Sequence, residues 1–421
     1  MKNHYNPPSL WHQLFNSETF AGEKLRPLAN ALVVIFAFVY AVMFPGLMQY
    51  VAYLGPGLGD NWSYDPFLHF LRETWNLAGG TWKHPLVLGL AVLVITNLIF
   101  TAAMIILGYT LYPRLVGKPF PVSVLFTYFS LSAICTTGIG LMHVLLGLLA
   151  MALGYDFFHG LSAVDTLLNQ LRGWAQQVPT LVEMPAWLAF IVLNVAGGFF
   201  HYWFHRLAHE SRLLWLLFHR THHMTPELVQ PSTQAVFNSF PFFIFAAVPY
   251  VVIFSLVGKL ITTDTLLPYL IVYKLFSAFA NLWSHQTAFY RWAQGQWWIR
   301  VLSTITSEGV YHYLHHSAEE RHQTRQSNLV NVGGGLFFFW DRVFGTYHPV
   351  TPEQPRVGLQ GIAAEEMTTN PLRLAFSGIG QILYELAHNR SMREWFLILF
   401  GRSDYQPPHS RNYVLKALPH E

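Results

Sequence analysis

The sequence predicts an all-α protein: a polytopic membrane helical bundle of about six spans, with a histidine-rich metal site on its cytoplasmic face. Three observations predict it. Of 421 residues, 52% are hydrophobic and only 11% charged, about half the charged share of an average soluble domain. The apolar residues gather in long charge-free runs. The chain also holds 21 histidines, and eleven of them lie between His201 and His322. The net charge of +3, from 25 Lys+Arg against 22 Asp+Glu, includes no block of like charge, which excludes a nucleic-acid partner. Cys135 is the one cysteine, so an internal disulfide, a thiolate zinc site and a cysteine-ligated iron–sulfur cluster are excluded as well.

The first span is the charge-free stretch Leu28–Leu54, longer than a hydrocarbon core of roughly 30 Å requires at about 1.5 Å per helical residue. The second is Pro85–Pro113 and the third Pro119–Tyr155. The fourth, Met184–Phe200, runs straight into His201, so its lower end leaves the bilayer as a polar helix. The fifth covers Ala235–Gly258, and the sixth, Leu266–Trp283, contains Lys274, which weakens it on insertion scales.

Sidedness follows from the cations. Lys2, Lys24 and Arg26 precede the first span, Arg114 and Lys118 follow the second, Arg206, Arg212 and Arg220 follow the fourth, and twelve Lys and Arg lie from Arg291 onward. The opposite side carries Arg72, Lys83, Arg172 and Lys259. This bias puts both termini in the cytoplasm. Charges ahead of the first apolar run argue against a cleavable signal peptide, so the N-terminus reads as a cytoplasmic tail. The expected organisation is an N-terminal span region at 1–183, a catalytic region at 184–350 and a C-terminal tail at 351–421. In that tail, Leu372, Leu374, Phe376, Ile379 and Ile382 stand among polar residues and read as an amphipathic helix lying on the membrane.

The histidines decide the chemistry. His201, His205 and His209 stand at i, i+4 and i+8, which on a helix projects all three from one face. His219-Arg-Thr-His222-His223 and His312-Tyr-Leu-His315-His316 repeat an i, i+3, i+4 pattern, through which one helical turn offers two or three nitrogens to a common centre. Two spans separate the second group from the third, so the chain returns to the same face and the groups can converge. Burying eight neutral imidazoles without a metal would leave many nitrogens without partners. Scattered histidines such as His143, His388 and His409 read as structural. Imidazole suits iron, copper, nickel and zinc, and eight donors exceed what one ion coordinates, so two ions are expected.

The order and spacing of His205–His209, His219–His223 and His312–His316, followed by Trp340-Asp341-Arg342-Val343-Phe344-Gly345-Thr346-Tyr347, resemble the membrane di-iron fatty acid hydroxylase and sterol desaturase superfamily over roughly Trp187–Tyr347. The resemblance implies two iron ions, with O2 as co-substrate, that hydroxylate or desaturate a lipid. It implies His205, His209, His219, His222, His223, His312, His315 and His316 as ligands and catalytic residues, and His285 as an additional ligand between the second and third groups. His201 reads as a ligand or a donor behind the ligands, and His322 is open between ligand and bystander. One departure is that Asn331-Val332-Gly333, which the family often has close after the third group, follows here only after the polar insert Glu319–Ser327.

Carboxylates behind the ligands are expected to orient the rings, with Asp341, Glu308 and Glu210 as candidates. Arg206 and Arg220 directly follow histidines of the set and are expected to point away, towards headgroups or other cytoplasmic groups. The aromatics near the boxes, Phe199, Phe200, Trp203 and Phe204, then Phe237–Phe243, then Phe337–Trp340, read as an interface belt. Gly333-Gly334-Gly335 lacks the setting of a nucleotide fingerprint. Electrons must then come from a separate donor, such as a ferredoxin, a cytochrome b5-like protein or a reductase. The alternatives are a zinc-dependent membrane lipid hydrolase, which needs one metal and a carboxylate base, and a histidine-rich metal transporter, which would place its ligands at mid-membrane.

Overall fold

The computed structural model describes the chain continuously over 145–157, 177–224, 248–264, 287–322, 329–359 and 371–410. Isolated shorter pieces lie between 79 and 117, 167 and 175, and 266 and 280, and at 362–363. The first expected span, most of the second, third and sixth, and the first half of the fifth lie outside the described residues, as do His143, His285 and Phe237–Phe243.

Helix α1, Ala186–Glu210, starts after Pro185, whose extended backbone opens it. It runs 25 residues without a break to Ser211, where the chain turns extended. The expected fourth span and the polar helix below it are therefore one rod, about 37 Å long. Among the described residues it is the one helix long and apolar enough to cross a membrane.

The chain continues through α2 (Arg212–Leu214), a π-helical turn (Trp215–His219) and α3 (Arg220–His223). Helix α4, Val248–Ile261, packs along α1, with Gly258 against the Leu193 side chain. The carbonyls of Leu260 and Ile261 accept backbone bonds from Leu181, Val182 and Met184. The Glu183 carboxylate ties this corner by accepting from the Thr263 N–H at 2.9 Å and from the hydroxyls of Thr262 and Thr263.

Helices α5 (Thr287–Gly295), α6 (Trp297–Thr306) and α7 (Val310–His315) follow. Tyr290, Ala293, Ile299, Val310, Tyr311, Tyr313, Phe338 and Val357 form their common core. Between α6 and α7 the chain reverses at Ser307 and Gly309, both with positive φ. Gly309 is required there, because a Cβ would lie 2.2 Å from Ser303 Oγ. A loop at 329–335 leads into a 3₁₀ turn, Leu336–Phe338, and α8, Phe339–Val343. Positive φ at non-glycine residues is confined, within the described residues, to Ser307, Asn331, Phe337 and Phe338.

A two-residue antiparallel hairpin, β1 (Gly358–Leu359) with β2 (Ile362–Ala363), qualifies the all-α expectation, and the described fold is otherwise helical. Helices α9 (Pro371–His388) and α10 (Met392–Phe400) close the chain. The tail does form the expected amphipathic helix, but Leu374, Ala375, Ile382 and Ile398 are buried inside the protein. Ile382 and Ile398 pack against Trp215 and Leu216 of the π-turn. The apolar period that marks a membrane-surface helix equally marks one that packs on its own chain.

Candidate metal centre

Three arms deliver the histidines. On α1, His205 and His209 are buried and one turn apart, with ring centroids 5.2 Å from each other. The second arm is the π-turn and α3. A π-turn adds one residue to a helical turn, a device that recurs at functional sites. Here it brings His219 back over α1, with its Nε2 2.9 Å from both His205 Nε2 and His209 Nε2. His223 follows one turn on, its Nε2 3.1 Å from that of His219. The third arm is α7, which ends at His315 with His316 as its cap. His315 Nε2 lies 3.0 Å from His209 Nε2, and His316 Nε2 lies 3.1 Å from His312 Nε2.

The donors fall into two adjoining groups. Nitrogens of His205, His209, His219 and His315 lie within 4.8 Å of one another, and so do those of His222, His312 and His316. The His223 ring stands between them, with centroids 4.8 Å from His219, 5.0 Å from His315 and 4.3 Å from His316. The first group is wholly buried, whereas the second is buried except for a half-buried His312. All eight box histidines are thus brought together. His201 and His322 belong to neither group. His201 sits one turn up α1, exposed, with Nδ1 on the Gly333 carbonyl. His322 bonds Ser317 Oγ at 2.8 Å and faces the His348 ring. His285 lies outside the described residues.

Backbone aims two of the rings. The carbonyls of Val332 and Val330 accept from the Nδ1–H groups of His205 and His315, the latter at 2.8 Å. The loop at 329–335 reaches the rings because it lies flush on α1. A Cβ on Gly198 would fall 2.2 Å from Gly335 Cα, and one on Gly334 would meet Tyr202 and Trp340 at 2.8 Å. Trp340 Nε1–H donates to the Val195 carbonyl at 2.6 Å. Phe199, Tyr202, Trp203, Trp340 and Phe344 pack ring on ring along this seam, so these aromatics fasten the loop to α1.

Asp341 is buried and acts through the loop. Its carboxylate accepts from the Gly334 N–H at 2.8 Å, the Gly333 N–H at 3.1 Å and Thr346 Oγ1 at 2.9 Å. Burial raises its pKa while these bonds lower it, and burial prevails. Asn331 completes the brace, accepting from the His348 N–H at 2.8 Å and donating to the His348 carbonyl at 2.9 Å. Glu210 pairs with Arg206 at 3.2 Å on the outer face of α1. Arg220 points away from the rings as expected, to protein groups rather than headgroups. It is buried, donates to Gln381 Oε1 at 2.6 Å, and burial holds its pKa down at about 10.

Burial, reinforced by neighbouring imidazoles, holds His219, His223 and His315 well below the ordinary histidine range. Burial alone takes His222 to about 4. All are neutral at pH 7, and a neutral imidazole carries one N–H. His205 and His315 spend theirs on carbonyls, so each presents a lone pair at Nε2. His219 Nε2 faces three other Nε2 atoms at 2.9 to 3.1 Å, more than one N–H can serve. A cation bound by these lone pairs resolves the conflict, since nitrogens about 2.0–2.1 Å from a common ion lie roughly 3.0–3.4 Å apart. The donor set fits a transition metal, and the two groups contain histidine alone among the described residues.

The sequence names the histidines that the fold brings together but not the carbonyls that accept from two of them. The Asn331-x-Gly333 and Trp340–Tyr347 segments were the available signal, since they build and brace the loop.

Residues 190–346 match the family model described as Fatty acid hydroxylase. Alkylglycerol monooxygenase from Danio rerio is 28% identical over 167 residues, which is 39% of this chain and 30% of that relative. The chain thus spans about 30% of the length of the curated relative it matches. No solved structure matches.

Proposed function

We propose, from the premise that residues 190–346 form a fatty acid hydroxylase domain, that this chain is a membrane oxidoreductase that hydroxylates a lipid C–H bond with O2. The observation that carries this reading is the convergence of seven histidine donors in two adjoining groups, without a carboxylate among them. Two groups suit two ions, and a zinc hydrolase would need a carboxylate base. The names of the family and the relative favour hydroxylation over desaturation. One oxygen atom enters the product and the other leaves as water, with two electrons and two protons taken up from a separate donor, such as a ferredoxin, a cytochrome b5-like protein or a reductase.

In this reading His205, His209, His219 and His315 hold one iron, and His222, His312 and His316 the other, with His223 between them and His285 as a further ligand. The iron pair, when bound, supplies the redox chemistry for O2 reduction and C–H oxidation. The chain's own groups do the rest. Val330 and Val332 fix which nitrogen of His315 and His205 carries the proton. Burial keeps the rings neutral and water out, and the half-buried His312 marks the side from which substrate approaches. Trp187 and Ile191 are exposed on one side of α1 and Phe200 and Leu207 on the other, apolar surfaces that suit contact with lipid. The wider assignment of six spans rests on the charge-free runs, and that of both termini and the centre to the cytoplasmic side on the charge bias.

The test is anaerobic purification in detergent, metal analysis, then oxygen uptake with a reductant and lipid. We expect two irons per chain, lipid-dependent oxygen consumption and a product heavier by one oxygen atom. A single tightly held zinc and no oxygen uptake would sink the proposal, and loss of two hydrogens would redirect it to desaturation.

A further inference from the structure

The second histidine arm is the one that needs outside support. Its π-turn is followed by a helix of only four residues, and short helices have little stability of their own. The support comes from α9, beyond the fatty acid hydroxylase match. Along one face of α9, Leu374, Ser377, Gly378, Gln381 and Glu385 each meet this arm or the residue that opens it. Thr221 Oγ1 donates to the Leu374 carbonyl at 3.3 Å. Arg220 Nη1 donates to Gln381 Oε1 at 2.6 Å, and its Nη2 to Ser377 Oγ at 3.5 Å. Arg212 Nη2 donates to Glu385 at 2.8 and 2.6 Å, in a pair whose side chains are 2% and 0% exposed. Gln381 and Ser410 also donate to Glu385, at 3.0 and 2.9 Å. Arg212 is held from its other side by the carbonyls of Ile398 and Tyr405.

Gly378 adds a steric constraint. A Cβ there would lie 1.8 Å from the Leu216 carbonyl oxygen, so the backbones of α9 and the π-turn touch. Arg212 and Arg220 bracket that turn, and both are fixed by the same helix. A charge pair this buried is costly to break, because the remaining partner stays buried and uncompensated.

We infer that α9 is the positioning element of the second histidine arm, acting through Glu385, Gln381 and Gly378, so that metal affinity depends on a helix that offers no ligand. The inference rests on the histidines being metal ligands, and the experiment separates the two. Cobalt(II) alone is titrated into metal-depleted full-length protein in detergent, with binding followed by its d–d absorption bands and folding by far-ultraviolet dichroism and elution volume. Unmodified protein that binds no cobalt would overturn the metal reading itself.

With binding established, Glu385→Gln and Gly378→Ala are expected to keep the helix content. Each should weaken cobalt binding at least tenfold and change the d–d bands, with Glu385→Asp recovering part of the affinity. Glu353→Gln, at an exposed pair with Arg321, should bind as the unmodified protein does. Folded variants with unchanged affinity and bands overturn the inference. If Glu385→Gln or Gly378→Ala does not accumulate folded, Gln381→Ala, which leaves the ion pair in place, replaces it and is judged by the same outcomes.

Discussion

The two histidine groups differ in enclosure more than in chemistry. His205, His209, His219 and His315 are all buried, and two of them have their protons assigned by loop carbonyls. His222, His312 and His316 adjoin them through His223, but His312 is only half-buried. An ion in the enclosed group would be held by a preset frame, whereas one in the second group has an edge open to its surroundings. The groups are therefore expected to respond unequally to damage.

The largest expected effect is at the enclosed group. His209→Ala should abolish oxidation and most metal binding, whereas His312→Ala should retain metal in the enclosed group while losing activity. Metal content per folded chain measures both, and equal loss in the two variants would erase the distinction. Next is Asp341→Asn, which puts an amide against the N–H groups of Gly333 and Gly334. Because the loop orients rings of the enclosed group, metal affinity should fall roughly 10–100-fold. Competition with a chelator reads it, and unchanged affinity would show that the carbonyls aim themselves.

A third effect is on acid stability. His219, His222, His223 and His315 have folded pKa values below the ordinary 6.5, His222 at about 4. The unfolded chain therefore binds more protons in acid, and stability rises with pH. The metal-free protein should hold its full stability above about pH 6.5 and lose it as pH falls towards 4, by up to about 1.4 kcal/mol per pH unit for each histidine. Denaturant midpoints between pH 7 and 4.5 test this, and a flat profile would mean that the rings are more hydrated than their burial implies. Smallest is Glu210→Gln, beside the enclosed group but on the outer face of α1. Losing its partly exposed pair with Arg206 should cost under about 0.5 kcal/mol and leave metal content unchanged in the same titration.

The convergence of the box histidines was legible because helical spacing and residue type both appear in the sequence. His205 and His209 could be assigned to one helix face from spacing alone, whereas His219 and His222, expected at a common centre, go to different groups because a π-turn precedes the second helix. The groups that aim two of the rings could not be read, because the carbonyls of Val330 and Val332 belong to the backbone and any residue supplies one. Of the carboxylates expected in that role, Glu210 pairs outward and Asp341 stands one step removed, behind the loop. Arg220 was read as outward-facing because it follows His219, yet α9 covers that side. The tail's apolar period records that a face is covered without recording by what. Residues 1–144, which carry the first two expected spans and most of the third, lie almost wholly outside the described residues.

The left-handed residues Ser307, Asn331, Phe337 and Phe338 surround the loop that aims the rings. Ser307 Oγ accepts from the Phe338 N–H at 2.7 Å and donates to the Gly335 carbonyl, so two of them are tied to each other. Each such conformation costs roughly 1–3 kcal/mol outside glycine. The turn that follows the aiming loop is thus bent against its own preference at Phe337 and Phe338 and tied there by Ser307, like a spring under load. Glycine at Phe337, whose side chain is half exposed, would release some of that tension while slackening the grip on the rings, so robustness and accuracy pull in opposite directions at this point of the chain.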